Sequence, residues 1–205
     1  MSDFLPSPSM NYRAYAAELV GTFLLAFMVH MGVGGQLPVP TPVIAGLTVG
    51  LLVYIFGGIS GAHLNPAVTI GLWSIGKIKP KDAGLYIVAQ FIGAFAAYAA
   101  GSALLGGQLS VVAGNTTMIA VAELIGAAVL VLGVSSVVHG KVSDVASGLT
   151  IGTALTLGVL AASAQSNGVL NPAVAAGIGS LSAAYILGPI AGGILAAWGY
   201  RALAR

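Results

Sequence analysis

Leu64-Asn65-Pro66-Ala67-Val68 returns letter for letter, about 105 residues later, as Leu170-Asn171-Pro172-Ala173-Val174. Asn-Pro-Ala reads as the start of a helix. The asparagine supplies an N-capping side chain, and proline suits the first helical position, where its missing N–H would have had no partner. A single copy would mark an ordinary capped helix. Two identical copies call for a wider comparison of their surroundings.

Working outward, three more pairs of segments recur in the same order. Ala17-Glu18-Leu19-Val20-Gly21 matches Ala122-Glu123-Leu124-Ile125-Gly126, and Gly46-Leu47-Thr48-Val49-Gly50 matches Gly148-Leu149-Thr150-Ile151-Gly152. Tyr86-Ile87, followed by Gln90 and Gly93, matches Tyr185-Ile186, followed by Pro189 and Gly192. The chain is thus one domain over 1–205 made of two repeats, at about 12–105 and 117–204.

The solvent for this duplicated unit is lipid. Of 205 residues, 58% are hydrophobic and only 6% charged, too few to cover a water-soluble surface. The absence of cysteine removes disulfides and thiolate chemistry together. A formal charge of +2 from seven Lys and Arg gives no footprint for nucleic acid. The start of the chain has no basic segment before an apolar one, so no cleaved signal peptide is expected.

A helix needs about 20 apolar residues to cross a hydrocarbon core about 30 Å thick. Six stretches qualify: Tyr12 to Val33, Pro42 to Ile59, Lys81 to Leu105, Thr117 to Val138, Asp144 to Ala164 and Leu181 to Leu203. His63 to Ile75 and Val169 to Ser180 are apolar but too short, and read as re-entrant half-helices. The expected fold is an all-α membrane protein of six transmembrane helices and two half-helices. Each repeat holds three spans, an odd number, so the second lies inverted relative to the first.

Arg13, Lys77, Lys79, Lys81, Lys141, Arg201 and Arg205 all fall at one side of this topology. Cytoplasmic loops are enriched in such residues, so both termini are expected in the cytoplasm and the protein in the plasma membrane. Inversion brings Asn65 and Asn171 together near the midplane, with both positive helix ends converging on them. That disfavours a cation or proton at the centre. The two amides can donate to a passing water or hydroxyl oxygen. The expectation is a pore.

These motifs resemble the major intrinsic protein family, the aquaporins and glycerol facilitators, over nearly the whole chain. Ser60-Gly61-Ala62-His63-Leu64-Asn65-Pro66-Ala67-Val68-Thr69 is similar to the family's first pore loop, and Gln90 and Pro189 with their following glycines resemble its third and sixth helices. The resemblance implies a homotetramer with one pore per subunit, permeated by water and small uncharged solutes. It also implies an aromatic/arginine filter toward the outer mouth, and here the sequence departs. The residue after the second Asn-Pro-Ala, usually arginine, is Val174. Counting along the family pattern places the other filter positions at Ala45, Val159 and Gly168, so the mouth is expected to be wide and apolar. Solutes larger than water should then fit, size selection should be loose, and the side chain that helps reject cations is missing.

Glu18 and Glu123 are ionisable residues within spans, which are costly there and therefore functional candidates. Each reads either as a proton relay or as a brace for backbone groups of a pore loop that lipid cannot satisfy. The brace is favoured, and the resemblance agrees. The resemblance places His63 in the inner vestibule, while a satisfied structural histidine remains an equal alternative. His30 and His139 have no metal-ligand spacing, and neither metal nor cofactor is expected. Gly46 with Gly50, Gly148 with Gly152 and Gly188 with Gly192 read as small pairs at helix crossings, and Tyr15, Trp73, Trp198 and Tyr200 as interfacial anchors. No Ser/His or paired-carboxylate constellation suggests an enzyme. The competing classes are a secondary transporter and a non-conducting junctional or scaffold protein on the same fold.

Overall fold

The computed structural model describes residues 11–35, 37–109 and 111–204. Arg205 and the N-terminal segment lie outside the described residues. Eight helices follow one another: α1 (Tyr12–Gly34), α2 (Thr41–Ser60), α3 (Pro66–Ser74), α4 (Pro80–Leu105), α5 (Thr117–Val138), α6 (Asp144–Ala162), α7 (Pro172–Gly177) and α8 (Ala183–Leu203). No strand occurs among the described residues. α1, α2, α4, α5, α6 and α8 are long and apolar enough to cross a membrane.

The spans fall within a residue or two of the expected ones, but α3 and α7 are shorter. Both begin at proline instead of at His63 and Val169. The residue before a proline is pushed out of the helical region, so Asn65 and Asn171 stay extended. At their far ends, Gly76 (φ +78) and Gly179 (φ +70) adopt the left-handed backbone that turns the chain out of the helix.

The two halves are packed alike. α1 lies against α2 and α4 as α5 lies against α6 and α8. Each half-helix packs mainly on the last helix of the other half, α3 on α8 and α7 on α4, while α2 meets α6 between the halves. In lipid there is little hydrophobic drive to bring helices together, so close backbone approach has to hold them. Glycines provide it. At the α2–α6 crossing a Cβ on Gly46 would strike the carbonyl of Gly152, and one on Gly50 the carbonyl of Gly148. Gly93 presses on the carbonyl of Leu19 and Gly192 on that of Leu124, so α1–α4 and α5–α8 cross in the same manner. Gly188 completes that second crossing, on the carbonyl of Ala120.

Candidate functional site

The half-helix tips meet at the centre of the molecule. Asn65 Oδ1 accepts from Ala67 N at 2.8 Å, and Asn171 Oδ1 accepts from Ala173 N at 3.0 Å and Val174 N at 3.2 Å. Their amide nitrogens cross over. Asn65 Nδ2 donates to the carbonyl of Leu170 at 3.0 Å, and Asn171 Nδ2 to that of Leu64 at 2.9 Å. One amide hydrogen on each asparagine therefore ties the loops together, leaving the second for a solute.

The irregular backbone ahead of each asparagine is held from outside. Ala62, Leu64 and Leu170 adopt positive φ angles of 48°, 51° and 57°, which non-glycine residues keep only where their surroundings enforce it. Glu18 accepts from Ser60 Oγ at 2.7 Å, His63 N at 2.9 Å, Leu64 N at 2.7 Å and Gln90 Nε2 at 2.8 Å. Glu123 repeats this with Ser166 Oγ at 2.8 Å, Val169 N at 2.9 Å and Leu170 N at 2.6 Å. Three residues beyond each glutamate stands a glycine. Leu64 is buried against Gly21 and Leu170 against Gly126, where a Cβ on either glycine would overlap the leucine. The repeated Glu-Leu-Val/Ile-Gly segment is thus a two-part clamp, a carboxylate for the loop amides and a socket for the loop leucine.

Two chambers reach this centre from opposite sides. On the side where α1 ends and α2 begins lies a cavity of about 260 Å³, bordered by Ala45, Val159, Gly168 and Val174 together with Val29 and Asn171. On the side of the chain termini lies one of about 20 Å³, bordered by Val49, His63, Asn65, Val68, Val134 and Ile151. Leu25, Leu155 and Asn171 belong to both. The lining residues recur one turn apart along α1 (Leu25, Val29, Val33) and α6 (Ile151, Leu155, Val159), so each helix gives the axis one apolar stripe. Glu18 and Glu123 border neither chamber.

His63 is held by a network centred on Thr69. Thr69 Oγ1 lies 3.0 Å from the Asn65 carbonyl, accepts from Gln90 Nε2 at 3.0 Å and lies 3.2 Å from His63 Nδ1. The ring meets Tyr86 edge-on, centroids 5.1 Å apart.

Sequence reasoning missed His30. It is fully buried, and its Nδ1 lies 2.9 Å from the carbonyl of Gly177, the last residue of α7, which it caps. Asn167 was also missed. It borders the large chamber and donates from Nδ2 to Val112 O at 3.1 Å and Ser180 Oγ at 2.9 Å. His139 lies outside both chambers, with Nδ1 2.8 Å from the Ser135 carbonyl. Tyr15 donates to Asp82 at 2.6 Å, fastening α1 to α4. Among the described residues no three His, Cys, Asp or Glu side chains are grouped as a metal site would need.

The chain matches the model of a family described as Major intrinsic protein over residues 6–200. Glycerol uptake facilitator protein-like 6 of Lactiplantibacillus plantarum is 37% identical over 91% of this chain and 95% of that protein. Probable aquaporin NIP7-1 of Arabidopsis thaliana is 35% identical over 93% of this chain and 76% of its own length, and aquaporin Z of Rhodopseudomonas palustris 31% over 95% and 94%. The X-ray structure of the aquaglyceroporin from Plasmodium falciparum superimposes with a TM-score of 0.71, covering 93% of this chain and 96% of that one. At 21% identity that likeness speaks for the fold alone. Six apolar spans around two half-helices define an aquaporin-like passive membrane channel. The chain belongs to the major intrinsic protein family.

Proposed function

We propose that the chain conducts water and small uncharged solutes down their gradients through a pore along the two chambers, and that it catalyses no reaction. Asn65 and Asn171, with Pro66, Ala67, Pro172 and Ala173 starting their helices, form the midplane contact. Ala45, Val159, Gly168 and Val174 form an apolar outer filter. Glu18 and Glu123 act as structural braces for the loops. Residues 1–205 make one channel domain of two inverted halves, with both termini cytoplasmic, assembled as a homotetramer in the plasma membrane.

The observation that carries this reading is the pair of chambers opening on Asn171 from opposite sides. The positive ends of α3 and α7 converge at that point, opposing cations and protons. The apolar walls give an ion nothing to replace its hydration. The placement of Glu18 and Glu123 away from both chambers supports the brace over the relay. It also leaves a coupled transporter without an ion-coupling carboxylate on the solute path. Stopped-flow light scattering on proteoliposomes, with water, urea and glycerol as test solutes, checks the proposal. Water flux well above that of protein-free liposomes is expected, and fluxes equal to protein-free liposomes for every solute would overturn it.

A further inference from the structure

We propose that the size limit of this channel is set on the side of the chain termini, in the small chamber walled by Val49, Val68, Val134 and Ile151 and narrowed by His63. The apolar mouth at Val174 does not set it. The inference rests on the pore reading above and deepens it by naming the solutes favoured, water and neutral molecules of similar size.

Volume is the first ground. About 20 Å³ has room for about one or two waters and none for a three-carbon polyol, whereas the chamber at Val174 has about 260 Å³. A solute admitted by the mouth therefore reaches a second, tighter passage. The loose size selection that Val174 suggests in the sequence does not follow, because the departure from the family pattern widens a part of the pore that is not its narrowest.

Stiffness is the second. Val49, Val68, Val134 and Ile151 come from α2, α3, α5 and α6. Each is β-branched, and in a helix Val and Ile are held to one strongly preferred rotamer. These four side chains are stiff about χ1, while Leu25, Leu130 and Leu155, which also line the chamber, are not β-branched.

The inverted repeat shows why the two sides differ. Val68 follows its Asn-Pro-Ala as Val174 follows the other, and Val134 on α5 matches Val29 on α1. Val49 and Ile151 match each other and both lie in the small chamber, whereas the same two helices give the large one Ala45 and Val159. The residue two before the asparagine differs as well: His63 in the first loop, Val169 in the second. Thr69 and Tyr86 pin the His63 ring in place, and the chamber on that side is correspondingly small.

The test compares glycerol flux, normalised to water flux, among proteoliposomes of wild type, Val134→Ala, Ile151→Val and Val174→Ala. Removing methyl groups from a packed apolar wall changes discrimination by about tenfold or more. A rise of that size is expected for Val134→Ala, with a smaller rise for Ile151→Val, which alters the fold less. Val174→Ala is expected to move the ratio less than Val134→Ala does. An equal or larger rise at Val174→Ala, or no rise at either inner position, would overturn the inner limit while leaving the pore intact. Wild-type water flux equal to that of protein-free liposomes would instead overturn the pore reading itself.

Discussion

The two pore loops are built on one plan and finished differently. Glu18 receives four donors and Glu123 three, because Gln90 stands on α4 where the matching position of α8 is Pro189. Gln90 bridges Glu18 to Thr69, and Thr69 in turn holds His63. The second loop has its own chain, Gly168 N to Ser166 Oγ to Glu123, and lies on a chamber more than ten times larger. Both loops use a clamp, since irregular backbone at membrane depth has to be satisfied by protein or by cavity water, never by lipid. Both clamps reach the pore wall, the first through Thr69 to the His63 imidazole and the second through the backbone amides of Gly168 and Val169.

The largest way to break that comparison is to remove an acceptor. Every partner of Glu18 donates to it, so Glu18→Ala leaves buried donors unsatisfied at about 1–3 kcal/mol each. Glu18→Ala is expected to lose the folded protein in detergent, and Glu123→Ala to be destabilised less. Melting curves by intrinsic fluorescence check the order, and a larger loss at Glu123 would contradict the difference between the loops. Next come the sockets. Gly21→Val and Gly126→Val drive a side chain into Leu64 and Leu170, an overpacking worth about 1–3 kcal/mol. Similar losses are expected at both sites, because this part of the clamp is shared. The finest probe is Gln90→Leu, which deletes the hydrogen bonds to Glu18 and Thr69, each worth about 0.5–1.5 kcal/mol, while keeping most of the side-chain volume. Its expected signature is local. His63 loses the order that Thr69 gives it, seen as a changed imidazole environment by NMR, while the second loop is unaffected.

Much of this was legible beforehand, for reasons tied to particular residues. Length and apolarity mark the six spans, and Pro66 and Pro172 mark where the half-helices begin, because both signals are local. Glu18 and Glu123 read as braces in preference to proton relays because irregular backbone at membrane depth has to be satisfied by protein or cavity water. Residue types alone did not carry the contacts between distant parts of the chain. Gly21 and Gly126 were visible as repeated letters, but their role depends on where Leu64 and Leu170 fall. The exchange of amide bonds between Asn65 and Leu170, and between Asn171 and Leu64, likewise exists only once the halves are folded together. His30 offered no spacing pattern, and its partner Gly177 lies 147 positions away. The reading of Val174 located a wide mouth at the chamber where Ala45, Val159 and Gly168 also lie, yet it could not disclose that the narrower chamber is elsewhere.

The most direct test of the account compares neutral-solute flux with ionic current in one wild-type preparation. Water flux in proteoliposomes should exceed that of protein-free liposomes and be indifferent to imposed sodium, potassium or proton gradients, and planar bilayers holding the same protein should carry no added current. A flux that requires an ion gradient, or a sodium or potassium current that scales with protein, would contradict a passive pore for uncharged solutes.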